Sequence, residues 1–192
     1  MKIKLWVAGV AMAFTSSMTM AAEGAYFYGA VDLTKGKVSN YCTGIPPATP
    51  CNDKNSGYRL SGGYQVISGL GNEGYGIEAS YVNAGKTSFP TLSAEMKDTE
   101  LQLAVIGTLP VADRITVISK VGLAFWSLKT TSTPARPNLS PSGQDFIYGL
   151  GAQFEISKSF AVRGLFDTHL VGDSVTGRSH VPTMSLGGIY RF

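Results

Sequence analysis

The sequence predicts an all-β protein, a transmembrane eight-stranded antiparallel up-and-down β-barrel. Three observations predict it. From Ala25 onward, segments of about 10 to 13 residues alternate apolar and polar positions with a period of two. The connections between segments alternate long and short. Within the segments the charges gather on one face, accompanied by Gly, Ser and Ala. Composition agrees, since only 15% of residues are charged, against about 25% in an ordinary soluble domain. The 10% aromatic content is too high for a disordered chain.

Residues 1–22 read as an export signal. Lys2 and Lys4 form a basic start, Leu5 to Phe14 an apolar stretch, and Met20-Ala21-Ala22 a small-residue end before Glu23. An apolar core of about ten residues is short for a spanning helix, which needs ~20, so the leader is expected to be cleaved and residues 23–192 to form one barrel domain. No Cys follows the cut, so lipoprotein anchoring is not indicated. Loss of Lys2 and Lys4 leaves 14 basic against 13 acidic residues, which disfavours nucleic acid as a partner.

The segments run, in order, over residues 25–35, 57–67, 73–83, 98–109, 114–128, 144–156, 159–170 and 181–192. Residues 36–56, 84–97, 129–143 and 171–180 are long connections, and 68–72, 110–113 and 157–158 are short. Outer-membrane barrels pair long extracellular loops with short periplasmic turns and keep both termini in the periplasm. In the second segment Tyr58, Leu60, Tyr64 and Val66 oppose Arg59, Ser61, Gly63 and Gln65. In the third, Tyr75, Ile77, Ala79 and Tyr81 oppose Gly74, Gly76, Glu78 and Ser80. The fourth sets Leu101, Leu103, Val105 and Leu109 against Glu100, Gln102 and Thr108, and the fifth sets Val117, Val121, Leu123 and Phe125 against Lys120, Gly122 and Ala124. Tyr148, Leu150, Ala152 and Phe154 oppose Gly149, Gly151, Gln153 and Glu155 in the sixth. Phe160, Val162 and Phe166 oppose Arg163 and Asp167 in the seventh, and Met184, Leu186, Gly188, Tyr190 and Phe192 oppose Ser185 and Arg191 in the eighth.

A soluble barrel would show the same alternation with its faces reversed. Two features decide against it. The charges of the polar face nearly cancel, with Asp32, Glu78, Glu100, Glu155 and Asp167 against Arg59, Lys120, Arg163 and Arg191, which suits an interior ion network. The same face is rich in small residues, as a narrow eight-stranded lumen crowded by long side chains requires. A one-residue slip would turn Arg59, Lys120 and Arg163 into lipid at ~2 to 4 kcal/mol each near the midplane. Aromatics sort into two girdles: Phe27, Tyr64, Tyr75, Phe154, Phe160 and Tyr190 near the periplasmic ends, and Tyr58, Tyr81, Phe125, Phe146 and Phe166 nearer the loops.

Cys42 and Cys51 are the only cysteines. An even pair in an exported chain reads as a disulfide pinning the first long loop, worth roughly 2 to 3 kcal/mol by chain entropy. Two thiols without a nearby His make an incomplete metal site.

The stretches Gly57-Tyr58-Arg59-Leu60-Ser61-Gly62-Gly63-Tyr64, Lys120-Val121-Gly122-Leu123-Ala124-Phe125-Trp126, Tyr148-Gly149-Leu150-Gly151-Ala152-Gln153-Phe154 and Ser185-Leu186-Gly187-Gly188-Ile189-Tyr190-Arg191-Phe192 follow in this order and spacing. Over about residues 25–192 the chain resembles the OmpA-like eight-stranded outer-membrane barrel family, which includes small opacity-type and virulence-associated surface proteins. The resemblance implies a Gram-negative outer membrane, lipopolysaccharide and other outer-membrane lipids as surroundings, and delivery by periplasmic chaperones to the barrel-assembly machinery. Phe192 with outward Tyr190 looks like the family's assembly signal. With the chain ending at Phe192, the peptidoglycan-binding domain of larger relatives is not expected.

The sequence offers no catalytic set. Gly69, Gly71 and Gly74 match G-x-G-x-x-G, but a strand follows where a dinucleotide site needs a helix. Gly85-Lys86-Thr87 imitates a phosphate loop with Ser80 in place of the required Gly. His169 and His180 lack the His-x-Ser pattern of lipid A deacylases, residues 36–56 hold no His for palmitoyl transfer, and the chain is too short for a ten-stranded protease. Asp167 near His169 reads as a structural rim pair. The expectation is a non-enzymatic surface barrel without cofactor or metal, displaying loops 36–56, 84–97, 129–143 and 171–180 for envelope integrity or for adhesion to host or cell-surface ligands. Loop charge of about +4 suits anionic headgroup phosphates. The alternatives are a narrow porin-like channel, which eight strands filled by side chains disfavour, and a lipid A-modifying barrel enzyme.

Overall fold

The computed structural model describes residues 24–37, 54–67, 73–89, 94–132, 142–173 and 177–192. The leader and both cysteines, Cys42 and Cys51, lie outside the described residues. Eight strands follow one another: β1 (Ala25–Lys37), β2 (Lys54–Ile67), β3 (Gly74–Phe89), β4 (Ala94–Ala112), β5 (Ile115–Ser132), β6 (Ser142–Glu155), β7 (Phe160–Asp173) and β8 (Gly177–Arg191). Each pairs antiparallel with the next, and β1 pairs with β8 to close the barrel. This is the fold class the alternation predicts.

Period two dictates which way each residue faces. The side chains of Leu33, Ile77, Leu150 and Leu186 are 64 to 75% exposed, while Arg59, Glu78, Lys120 and Arg163 are at most 4% exposed. Apolar groups therefore cover the outer wall, and ions fill the tube. A soluble protein does not show so continuous an apolar exterior.

The strands outgrow the predicted segments mainly at one end; at the other, β4 runs on past Leu109 to Ala112, so most of the short connection expected at 110–113 is strand. β3 and β4 pair up to Phe89↔Ala94, and β7 and β8 up to Asp173↔Gly177. Residues 84–97 and 171–180 are thus mostly strand, a correction to the long loops expected there. The physical reason is that above the bilayer the outer face no longer has to be apolar, so alternation fades while backbone pairing continues. At the opposite end turns are tight. Asp113 and Arg114 form the β4–β5 turn, and after β6 the N–H groups of Ile156 and Ser157 both donate to the Phe160 carbonyl at 3.0 Å.

The lumen mixes apolar and ionic groups. Ala104, Ile106, Ile118, Ala124, Ile147 and Leu165 form one buried apolar cluster and Tyr28, Ala30, Ala161 and Ile189 a second, while the ions stand on β1, β2, β3, β4, β5 and β7, in part on the same strands. The sequence predicts charges, Gly, Ser and Ala inside, and the buried Ile and Leu side chains add to that expectation. Ile106 and Ile118 share the parity of Glu100 and Lys120, and their apolar side chains pack inside because the tube offers shelter from water.

Candidate functional site

The interior is built around two clusters. In the first, Glu78 on β3 accepts hydrogen bonds from Lys120 Nζ at 3.1 Å, Arg163 Nη1 at 2.7 Å, Tyr28 OH at 3.0 Å and Ser80 Oγ at 3.0 Å. Arg163 on β7 also grips Asp32 on β1 with both ends of its fork, Nε to Oδ1 at 2.9 Å and Nη2 to Oδ2 at 2.7 Å. Such bidentate geometry is the strongest arrangement an Arg–carboxylate pair adopts. Lys120 Nζ donates to Gln102 Oε1 at 3.0 Å, and Gln102 Nε2 donates to Glu100 at 2.9 Å, which ties Glu100 into the cluster. In the second, Arg59 on β2 forms an ion pair with Asp167 on β7 and donates to Ser185 Oγ on β8 at 3.1 Å.

Glycines make room for this. A Cβ on Gly63 would collide with the Tyr28 ring, and one on Gly149 or Gly187 would strike the carboxylate of Asp167 or Asp32. Both clusters also join distant parts of the chain. Arg163 lies 131 residues from Asp32, and Arg59 lies 108 from Asp167 and 126 from Ser185. They therefore stitch the first strands to the last, across the β1–β8 seam.

Glu155 and Arg191, assigned with the same network by parity, sit apart from it. Arg191 Nη2 meets Glu155 Oε1 at 2.7 Å near the short-turn end, and the Arg191 guanidinium lies 5.2 Å from the centroid of the Tyr26 ring. Beside this pair a small pocket of about 10 Å³, room for about one water, is lined by Tyr26, Tyr28, Gln65, Gln153, Ile118 and Leu165 among others. The central ions close its inner end. The hydroxyl and amide partners Tyr28, Ser61, Ser80, Gln102 and Ser185 had no signal of their own in the sequence beyond inward parity. Tyr190 and Phe192 stand exposed at the end of the seam, their rings 5.1 Å apart and edge to face, and the Phe192 N–H donates to the Phe27 carbonyl at 2.9 Å. Among the described residues no group of three His, Cys, Asp or Glu could hold a metal ion. The side chain of His169 lies outside the described set.

A closed barrel with an apolar exterior, two aromatic girdles and a salt-bridged interior defines a transmembrane β-barrel of the outer membrane, the class found in Gram-negative bacteria. The outer membrane protein beta-barrel domain profile matches residues 7–192, and the chain belongs to that family. Its fold is similar to neisserial surface protein A, with a TM-score of 0.65 at 12% identity over 88% of this chain and 99% of that one. It is also similar to Ail, the attachment invasion locus protein of Yersinia pestis, with a TM-score of 0.58 at 16% identity over 88% and 99% of the two chains. The N-terminal β-barrel domain of Pseudomonas aeruginosa OprF gives 0.59 at 11% identity over 86% and 97%. No curated protein matches the sequence.

Proposed function

We propose that this chain is a non-enzymatic surface barrel that holds its extracellular end rigid for contacts with lipopolysaccharide, host molecules or other cells. The observation that carries the reading is the pairing of a lumen filled by buried ions with strands that run on beyond the aromatic girdle, as far as Phe89 and Ala94 in one hairpin. The interior is committed to holding the wall together, and the extended strands present the connections above it. Fold similarity to an attachment protein and a surface protein is in keeping with this. In the same reading the leader is cleaved before Glu23, Cys42 and Cys51 form a disulfide in the first connection, and Tyr190 and Phe192 address the chain to the assembly machinery.

Replacing residues 38–53 and 133–141 with short turns should abolish adhesion or serum resistance of expressing cells while the barrel still resists unfolding in detergent. Unchanged adhesion, serum resistance and envelope integrity would overturn the reading, and altered acyl chains in lipid A from expressing cells would favour an enzyme. Steady single-channel steps in a planar bilayer would favour a narrow channel instead.

A further inference from the structure

Above the upper girdle the outer wall changes in ordered rows. Tyr81, Leu101 and Phe125 stand opposite one another in register on β3, β4 and β5. The next outward row is Asn83, Thr99 and Ser127, and the one above it is Lys86, Lys97 and Lys129. Between them Gly85, at φ +91°, takes up the register shift, its N–H bonded to Asn83 Oδ1 at 3.1 Å. Lys97 and Lys129 are exposed and directly opposite, with no carboxylate partner among the described residues. Like charges so placed oppose pairing, so the wall carries a repulsion that an anion would relieve. Asp98 and Asp145, nearby, have inward parity, and Trp126 Nε1 donates to Asp145 at 2.5 Å. Glu95 is two positions above Lys97 on β4 and leaves the row with a net positive charge.

The two rims differ. At the extracellular rim the exposed charged side chains among the described residues are Lys35, Lys97 and Lys129, whereas at the periplasmic rim Glu73 and Asp113 balance Arg114 and Lys158. A wall with net positive charge among its described residues at one rim only fits a bilayer with anionic phosphates in one leaflet only. Lys97 is four residues beyond Leu101, ~13 Å along the strand and ~10 Å along the membrane normal, within reach of the headgroup layer for a snorkelling ammonium.

We propose that Lys97 and Lys129 hold a phosphate of lipid A from the outer leaflet against the β4–β5 wall. The inference rests on the extracellular assignment made under the proposed function, but not on adhesion. The test below reads no adhesion, so either can fail alone.

The experiment titrates the folded full chain in non-ionic micelles with bisphosphorylated lipid A and follows bound lipid by native mass spectrometry. Lys97→Gln with Lys129→Gln should weaken binding about thirtyfold, Lys97→Arg with Lys129→Arg should restore it, and Lys35→Gln, across the barrel, should leave it unchanged. Dephosphorylated lipid A and inorganic phosphate should bind weakly, and salt should weaken the wild-type complex. Equal binding by the Gln double variant would overturn the proposal. So would equal binding of dephosphorylated lipid A, or capture of inorganic phosphate or a soluble polysulfated sugar at these lysines in preference to lipid A. If the Gln variant fails to fold, the phosphate and salt dependence of the wild type decides.

Discussion

Glu78 shows what a single buried charge does in this protein. Four donors converge on it, two of them cations. Removing one member of a buried pair leaves the others desolvated and uncompensated, at about 3 to 5 kcal/mol. Glu78→Ala should therefore lower stability by about that amount, and Glu78→Gln by less, as measured from urea midpoints in detergent by the mobility of boiled and unboiled protein. An unchanged midpoint would mean that the network contributes nothing to the wall. Gly63→Val should push the Tyr28 ring away from Glu78 and cost about 1 to 3 kcal/mol, and Tyr28→Phe about 1 kcal/mol, read by the same assay. The inward face of Glu78, Lys120 and Arg163 was legible in the sequence because lipid tolerates no such group. Their partners were not. Phe27 and Tyr28 differ by one hydroxyl and face opposite ways, and whether Tyr28 reaches Glu78, 50 residues on, depends on strand stagger that local alternation does not encode.

At the scale of the strand, the apolar face was readable wherever lipid enforces it and lost where lipid ends. Lys86, Lys97 and Lys129 share a row, yet nothing in their polarity marks them as strand, so the segments read from the sequence stop near the girdle while pairing continues above it. The depth dependence of the wall supplies a test. Val105→Arg, on the lipid face of mid-β4, should cost ~2 to 4 kcal/mol, while Leu33→Arg, near the upper end of β1, should cost ~0 to 1 kcal/mol. Denaturant titrations of the two variants in phospholipid vesicles compare them directly, and equal costs would place Leu33 far deeper than the girdle positions allow. Gly85→Ala should destabilise the upper hairpin, since its Cβ would run into the Ser56 carbonyl at a positive φ. Hydrogen exchange confined to β3 and β4 above Asn83 is the expected signature.

Across the whole molecule, the interior acts as a plug held by charge rather than by a folded-in loop. The wild-type protein should show no steady conductance in a planar bilayer, whereas Arg163→Ala, which releases both Asp32 and Glu78, should give measurable steps or a less stable barrel. A silent variant of full stability would mean that the apolar cluster around Ile106 and Ile118 closes the tube unaided. The number of strands and their up-and-down order were legible from segment count and alternating connections. The mixing of apolar and ionic groups in the lumen was not, because inward parity reads alike for Ile118 and Lys120.

The ion pairs that cross the closing seam give assembly an electrostatic checksum. A sheet still lacking its last two strands holds Asp32 and Arg59 only as cross-strand neighbours on β1 and β2, without the partners each grips in the closed barrel. The ion pairs they make in the finished wall form only on arrival of β7, which carries Arg163 and Asp167. Completion of the buried ion pairs is thereby coupled to the delivery of the final strands.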